Sequence, residues 1–293
     1  MTQKVEARYW RTNPSKENKE GKEVICLLCP HTCLIEDNHF GFCGVRENIN
    51  GSLFASSYGA VTSLVPDPIE KKPLYHFQRG KKIVSIGGYG CNFRCGFCQN
   101  HKISMEYKKA QIDFMPPEVI VQFATAAKKD NNIGIAYTYN EPLISYEFIV
   151  DCATLAKKSG LKNVLVTNGY INKEPLRELL PLIDALNIDI KAFNNRTYNK
   201  FAGTLEPVLD TIQTAYRTCH IELTTLVVPG DNESDIEQIA GWIAQIDPNI
   251  PFHLSRFFPR YEYINAQQTP KETMYRAKET AERFLTYVYL GNM

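Results

Sequence analysis

The sequence predicts an α/β protein built on a parallel sheet with covering helices, with a small N-terminal cysteine-rich metal-binding module ahead of it. Three observations lead there. From residue 83 onward, short apolar runs alternate with amphipathic stretches in six strand-then-helix units, the pattern of a parallel sheet with crossover helices. Four cysteines crowd into residues 26–43, a segment too short to build a core without a staple. A second group, Cys91, Cys95 and Cys98, follows directly on the first apolar run of the alternating part.

Composition narrows the function classes. A chain of 293 residues suits one large domain or a core with a small appendage. Apolar content of 44% and charged content of 22% are ordinary for a globular protein. A net charge of +1 gives no electrostatic argument for nucleic acid or a membrane surface. No apolar run reaches the length of a membrane span and no apolar signal segment opens the chain, so a cytoplasmic location is the default expectation. Nine cysteines in clustered spacing favour metal over disulfides in that compartment.

In chain order, residues 1–23 are polar and rich in Lys and Glu and read as a solvated arm, with Tyr9 and Trp10 suggesting local docking. Next come Cys26, Cys29, Cys33 and Cys43 at C-x2-C-x3-C-x9-C. A Cys-x2-Cys followed by a proline turn places two thiolates on one ion. Four thiolates suit a zinc staple or an auxiliary iron–sulfur cluster, with zinc narrowly first. Residues 51–80 read as a linker. Gly51-Ser52 marks a hairpin turn, and Pro66, Pro68 and Pro73 argue for an extended path. Tyr75 and His76 read first as a packed part of that linker and second as lining for a site mouth. The division is therefore 1–80 for arm, module and linker, and 81–293 for the sheet, its helices and a last strand.

Strands are expected at 83–87, 133–139, 163–167, 185–190, 220–228 and 251–257. Helices are expected at 116–129, 142–159, 173–183, 205–217, 233–246 and 270–284, with a final edge strand over 286–290. Right-handed crossovers curl such units into a barrel or part of one, with chemistry at the C-terminal ends of the strands. Cys152 and Cys219 lie away from the clusters and read as core.

The first strand leads into Gly87-Gly88-Tyr89-Gly90-Cys91-Asn92-Phe93-Arg94-Cys95-Gly96-Phe97-Cys98-Gln99-Asn100. A four-iron cluster usually takes four cysteines; the local set stops at three. Three thiolates can hold such a cluster while leaving one iron open, as catalytic metals keep a vacant position. The glycines before Cys91 allow a tight turn, and their N–H groups are expected to bond the sulfides. A zinc knuckle would need a second cysteine pair nearby, and a redox dithiol would not need Cys91.

This loop, with Phe97 just before its last cysteine, resembles that of the radical S-adenosylmethionine (SAM) superfamily. The wording Asp67-Pro68-Ile69-Glu70-Lys71-Lys72-Pro73-Leu74-Tyr75-His76-Phe77, the loop end Gln99-Asn100, and Thr138-Tyr139-Asn140-Glu141-Pro142 resemble the AmmeMemoRadiSam group. That group is related to the pyruvate formate-lyase activating enzymes. The resemblance covers about residues 24–292 and implies an open, partial (βα)6 TIM-like barrel. It implies a 4Fe–4S cluster on Cys91, Cys95 and Cys98 and SAM at the open iron. Reductive cleavage of SAM then gives a 5′-deoxyadenosyl radical that abstracts hydrogen from an unidentified small-molecule or protein substrate. An electron donor such as flavodoxin or ferredoxin is implied, with Memo-like and AMMECR-like proteins as partners. The alternatives are activation of a glycyl radical enzyme and, without enzymatic activity, a metal-stapled interaction or sensor protein. RNA modification is weakened by the near-zero net charge. Chains of the group often continue past the Gly291-Asn292 position into a cysteine-bearing tail, whose role is expected to be absent here or supplied otherwise.

The same resemblance assigns SAM-site roles at the strand ends. Phe97 borders the cluster. Glu141, where Pro142 opens a helix, accepts hydrogen bonds from the SAM ammonium, with Asn140 beside it; the competing reading is a helix-start Glu placed for the macrodipole. Thr167 and Asn168 bond the SAM ribose or carboxylate, or merely make an Asn-Gly turn. Activating enzymes carry an Asp before that Thr for a monovalent cation, and here Val166 stands there. Asp189 and Lys191 share one side of their strand, and Lys191 neutralises the SAM carboxylate, or the two form an ion pair closing the strand end. The end of the fifth strand, Leu226-Val227-Val228-Pro229-Gly230-Asp231, resembles the adenine-contacting segment. His253 shares a face with Ser255 and is a candidate for the SAM or substrate site, weighed against a structural histidine; Arg256 points to the other face. No side chain is assigned a chemical step, because the chemistry is the cofactor's.

Overall fold

A computed structural model of the chain describes residues 4–13 and 22–293. The expected polar arm at 1–23 thus lies partly outside the described residues. Its described part docks: Arg8 N–H donates to Glu147 Oε1 at 2.7 Å, and the Tyr9 ring meets that of Tyr146 edge-on at 5.1 Å.

The N-terminal module is made of short strands. β1 (Trp10–Thr12), β2 (Val24–Cys26) and β3 (Leu34–Ile35) form an antiparallel sheet in that order. β4 (Arg46–Ile49) and β5 (Ser52–Ala55) form a hairpin. Asn50 and Gly51 both have positive φ, 54° and 85°, the two-residue turn whose twist matches the flanking strands. The short β6 (Ala60–Val61) later pairs with β9 (Asp113–Phe114).

β7 (Ser63–Pro68) and β8 (Lys82–Gly87) are antiparallel neighbours. After β8 come α1 (His101–Ser104), α2 (Pro117–Ala126), β10 (Asn132–Tyr137), α3 (Tyr146–Lys158), β11 (Lys162–Thr167), α4 (Lys173–Leu179) and β12 (Ala185–Asp189). The chain continues through α5 (Asn195–Lys200), α6 (Glu206–Tyr216), β13 (His220–Val227), α7 (Ile236–Ile246), β14 (Phe252–Arg256), α8 (Lys271–Glu282) and β15 (Val288–Gly291). The main sheet has eight strands in the order β15-β14-β13-β12-β11-β10-β8-β7, parallel throughout except for β7. It is the partial barrel the sequence predicts, with each expected strand and helix in place. Buried residues on the covering helices follow the helical repeat: α7 buries Ile236, Ile239, Ala240 and Ile243.

The boundary expected at residue 80 does not separate two bodies. β7 belongs to the barrel sheet, so Ser63–Pro68 of the expected linker form a barrel strand. The stretch that follows, from Ile69 to Phe77, packs against the inner face of the sheet near the N-terminal ends of its strands. Leu74 is fully buried, Pro73 carbonyl accepts from Asn187 Nδ2 at 2.8 Å, and the N–H groups of Tyr75 and His76 donate to Glu222 at 2.9 and 2.7 Å. His76 Nε2 reaches the Tyr289 hydroxyl at 2.6 Å. Tyr75 and His76 are therefore part of a barrel floor, not of a site mouth.

The module is bolted to the barrel by a buried ion pair. Arg46 donates to both oxygens of Glu147 on α3, at 3.1 and 3.0 Å, and both side chains are buried. Among the described residues, no helix is long and apolar enough to cross a membrane.

Candidate active site

A cavity of about 340 Å³ opens at the C-terminal ends of the strands. Cys91, Cys95, Phe97 and Cys98 reach it from the loop after β8, Asn140 and Glu141 from the end of β10, Thr167 and Asn168 from β11, and Asp189 and Lys191 from β12. Of the residues assigned singly to the SAM site, all but His253 therefore line a single space; of the segment 226–231, Leu226 does.

The cysteine loop is held by groups other than those expected. Gly88 N–H donates to Asn140 Oδ1 at 3.0 Å and Gly90 N–H to Ile103 carbonyl at 2.9 Å. Neither is left for a sulfide; Cys91 Sγ instead receives Phe93 N–H at 3.3 Å and, more weakly, Asn168 Nδ2 at 3.9 Å. Gly90 has φ +82°, and a Cβ there would lie 2.6 Å from Cys43 carbonyl. The loop thus touches the N-terminal module directly. His31 Nε2 meets Asn92 carbonyl at 2.7 Å, and the Arg94 guanidinium lies over the Phe42 ring at 4.0 Å.

Burial pushes the Cys91 thiol well up, Cys95 to about 12, and Cys98 upward as well, while Lys191 opposes the rise at Cys95 and Cys98. Three buried thiols that resist ionisation become thiolates when a cation compensates them, so the trio fits a metal cluster. Three cysteines of the N-terminal group behave alike. Burial raises Cys29, Cys33 and Cys43, their mutual repulsion adds to it, and Phe42 N–H donates to Cys33 Sγ at 3.4 Å. Among the described residues, no three His, Cys, Asp or Glu side chains are close enough to grip one ion.

Glu141 is 3% exposed. It caps the turn Pro142–Ser145 by accepting from Leu143 N–H at 3.0 Å, which meets the helix-start reading, and it also faces the cavity. Thr167 Oγ1 donates to it at 2.6 Å and Asn168 N–H at 2.8 Å. Burial nevertheless raises its carboxyl to about 7 against those donors. Thr167 and Asn168 thus act on Glu141, and Asn168 Nδ2 also bonds Asn92 Oδ1 at 2.8 Å. Asn140 is likewise occupied: its amide donates to Tyr89 and Gly90 carbonyls at 3.0 and 3.1 Å, clamping the glycine turn. It is a positioning residue for the cysteine loop.

Lys191 Nζ donates to Asp189 Oδ2 at 2.9 Å, so the ion pair exists and it lines the cavity. Burial disfavours the ammonium, but Asp189 and Cys95 outweigh it and hold Lys191 charged. Phe97 packs edge-on against Phe201 and Tyr263, with centroids at 5.2 and 5.9 Å.

His253 is the exception and a correction. It lies one layer below the cavity, bonded to Glu222 at 2.7 Å and flanked by Tyr75 and Tyr289. Its face was read correctly; Ser255, two residues on, is the residue that reaches the cavity. Arg256 points the other way, donating to Thr269 carbonyl at 2.6 Å. Lys71, Lys72 and Tyr139 also line the cavity, although nothing in their local pattern marked them for a role there.

The Radical SAM superfamily profile matches residues 85–243. An uncharacterized protein of Methanocaldococcus jannaschii, MJ0808, is 44% identical over 285 residues, covering 94% of this chain and 84% of that protein. A putative glycyl-radical enzyme activating enzyme of the same organism, MJ1632, is 27% identical over 220 residues, covering 73% of this chain and 82% of its own length. Among solved structures, SuiB of Streptococcus suis shares the fold at a TM-score of 0.54 and 10% identity, covering 71% of this chain and 48% of SuiB. Profile, fold and a cavity bordered by three cysteines agree: the chain belongs to the radical SAM superfamily and is an enzyme of that chemistry.

Proposed function

We propose that the chain is a radical SAM enzyme of the AmmeMemoRadiSam type, acting on a small molecule or peptide together with Memo-like and AMMECR-like proteins. The observation that carries the site reading is the convergence of Cys91, Cys95, Cys98 and Glu141 on one cavity. The subgroup reading is supported by the Asp67–Phe77 wording, part of which borders that cavity.

Cys91, Cys95 and Cys98 would hold a 4Fe–4S cluster, three thiolates leaving a fourth iron for the amino and carboxylate groups of SAM. Together the two groups supply a 5′-deoxyadenosyl radical that takes a hydrogen atom from the substrate. The chain's own residues bind and orient. Glu141 would accept from the N–H groups of the SAM amino group, Lys191 would offset the SAM carboxylate while Asp189 steadies it, and Asn140 fixes the turn that carries Cys91. Phe97 and Leu226 give the cavity apolar wall that excludes water. The electron arrives from a small donor such as flavodoxin or ferredoxin. Cys26, Cys29, Cys33 and Cys43 would hold a second metal beside the cysteine loop, an auxiliary iron–sulfur cluster or, once their sulfurs draw together on one ion, zinc; their spacing supports this.

Anaerobic reconstitution with iron, sulfide and zinc analysis, followed by dithionite and SAM, tests this. The expected result is release of 5′-deoxyadenosine, abolished in Cys95→Ala; turnover that persists in that variant overturns the site. A second reading is supported by the relative named as a glycyl-radical enzyme activating enzyme: the chain installs a glycyl radical on a partner protein. A glycyl radical signal on a co-purified partner decides for that reading, and co-purification of Memo-like and AMMECR-like proteins decides for the first.

A further inference from the structure

Among the described residues, Lys71 and Lys72 are the charged groups of the cavity wall that the SAM reading leaves unused. Lys72 is the unusual one. Its side chain is 3% exposed, and its ammonium donates to Asp67 Oδ2 at 2.9 Å while lying 4.6 Å from the centre of the Tyr139 ring. The Tyr139 hydroxyl donates to the same carboxylate oxygen at 2.8 Å, and the mostly exposed Lys71 to the other at 3.2 Å. An ammonium carries three donors. Among the described residues the structure gives Lys72 one hydrogen-bond partner, Asp67. Its remaining donors belong to a buried group that borders the cavity.

Two further features hold the arrangement in place. Tyr139 has φ 73°, a conformation that a bulky residue adopts only where its surroundings impose it. Gly87 makes room for it, since a Cβ there would stand 2.9 Å from the Tyr139 ring. An ion pair that merely tied Lys72 back to Asp67 on β7 would need neither a left-handed tyrosine nor a place in the cavity wall. Charge points the same way. Lys71 and Lys72 against Asp67 leave one positive charge beside the cavity, whereas Asp189 and Lys191 cancel and Glu141, with its carboxyl raised to about 7, adds only a partial negative charge. The net positive group suits an anion.

We propose that Lys72 is a substrate anchor that holds a carboxylate or phosphate group of the substrate, with Asp67 and Tyr139 fixing its position. This rests on the radical SAM reading of the cavity. The test uses the anaerobically reconstituted protein with SAM bound, titrated separately with inorganic phosphate and with acetate against chloride at matched ionic strength, and followed by calorimetry. The expected result is saturable binding of at least one anion. That binding weakens by about tenfold or more in Lys72→Met, as loss of a charged partner does, and is largely kept in Lys72→Arg. SAM affinity stays within roughly twofold throughout. Binding of phosphate alone names a phosphorylated substrate, and binding of acetate names a carboxylate. The double variant Asp67→Asn/Lys72→Met avoids leaving an unpaired buried carboxylate and gives the same loss if Lys72→Met does not fold. No saturable binding in the wild type, equal binding in the Met variant, or loss of SAM affinity on removing Lys72 overturns the anchor while cluster and SAM remain bound. A wild type that takes up neither cluster nor SAM overturns the reading of the cavity itself, and the anchor with it.

Discussion

Two buried glutamates sit at different depths of the same barrel, and their surroundings drive them in opposite directions. Glu222, on the floor, is pushed upward by burial, but His220, His253 and the N–H groups of Tyr75 and His76 all contact it and bring its carboxyl down to about 2. Glu141, at the cavity, also has three donors, yet burial wins and its carboxyl rises to about 7. The difference is completeness. The floor satisfies its charge from the protein alone, whereas the donors at Glu141 do not offset its burial, as the proposed binding of SAM beside it would. A buried acid with a raised pKa in a cleft marks binding, and one with a lowered pKa inside a ring of donors marks architecture.

The sharpest way to break this contrast is to remove the floor carboxylate. Glu222→Ala is expected to cost about 3–5 kcal/mol, the usual loss when one partner of a buried charged network is deleted. Denaturant titration measures it, and SAM affinity of the folded fraction stays unchanged. Glu141→Gln is expected to do the reverse. A hydrogen bond to a charged group is worth about 1.5–3 kcal/mol, so SAM binding weakens by roughly ten- to hundredfold while the melting temperature holds or rises. A Glu141→Gln protein that unfolds as easily as the Glu222 variant would erase the distinction.

The smallest effect is in pH. Because the folded carboxyl of Glu141 is raised to about 7, its contribution to stability is full below the unfolded value near 4.5 and falls as pH rises through 7. Donation from the N–H groups of the SAM amino group favours the ionised form, so affinity is expected to rise between about pH 6 and 8, by roughly tenfold at most, and the profile is flat in Glu141→Gln. Glu222 runs the other way. Its contribution is present above about 4.5 and is lost as pH falls toward 2, so acid unfolding belongs to the floor.

Much of this was legible in the residues. Near-continuous apolar strands alternating with amphipathic helices have few readings other than a parallel sheet, and the cysteine spacing and Glu141 stand at strand ends where such sheets carry chemistry. The failures have physical causes. Pro66 and Pro68 made β7 look like a linker, because proline removes donors that an inner strand needs and an edge strand does not. Strand alternation gave His253 the correct face, but its depth was set by the Pro73–His76 segment closing the barrel beneath it, a tertiary fact. Lys72 drew no role of its own because a lysine is almost never buried unless paired, and its partner Asp67 lies on a strand that was expected to be linker.

β7 also shapes how the molecule meets its own copies. It is the outermost strand on one side of the sheet, and exposed strand edges invite pairing with foreign chains. Two prolines set two residues apart take backbone donors away from the rim that another strand would have to zip onto. Misassembly through sheet extension is blunted on that flank, and the same prolines turn the chain toward Lys72.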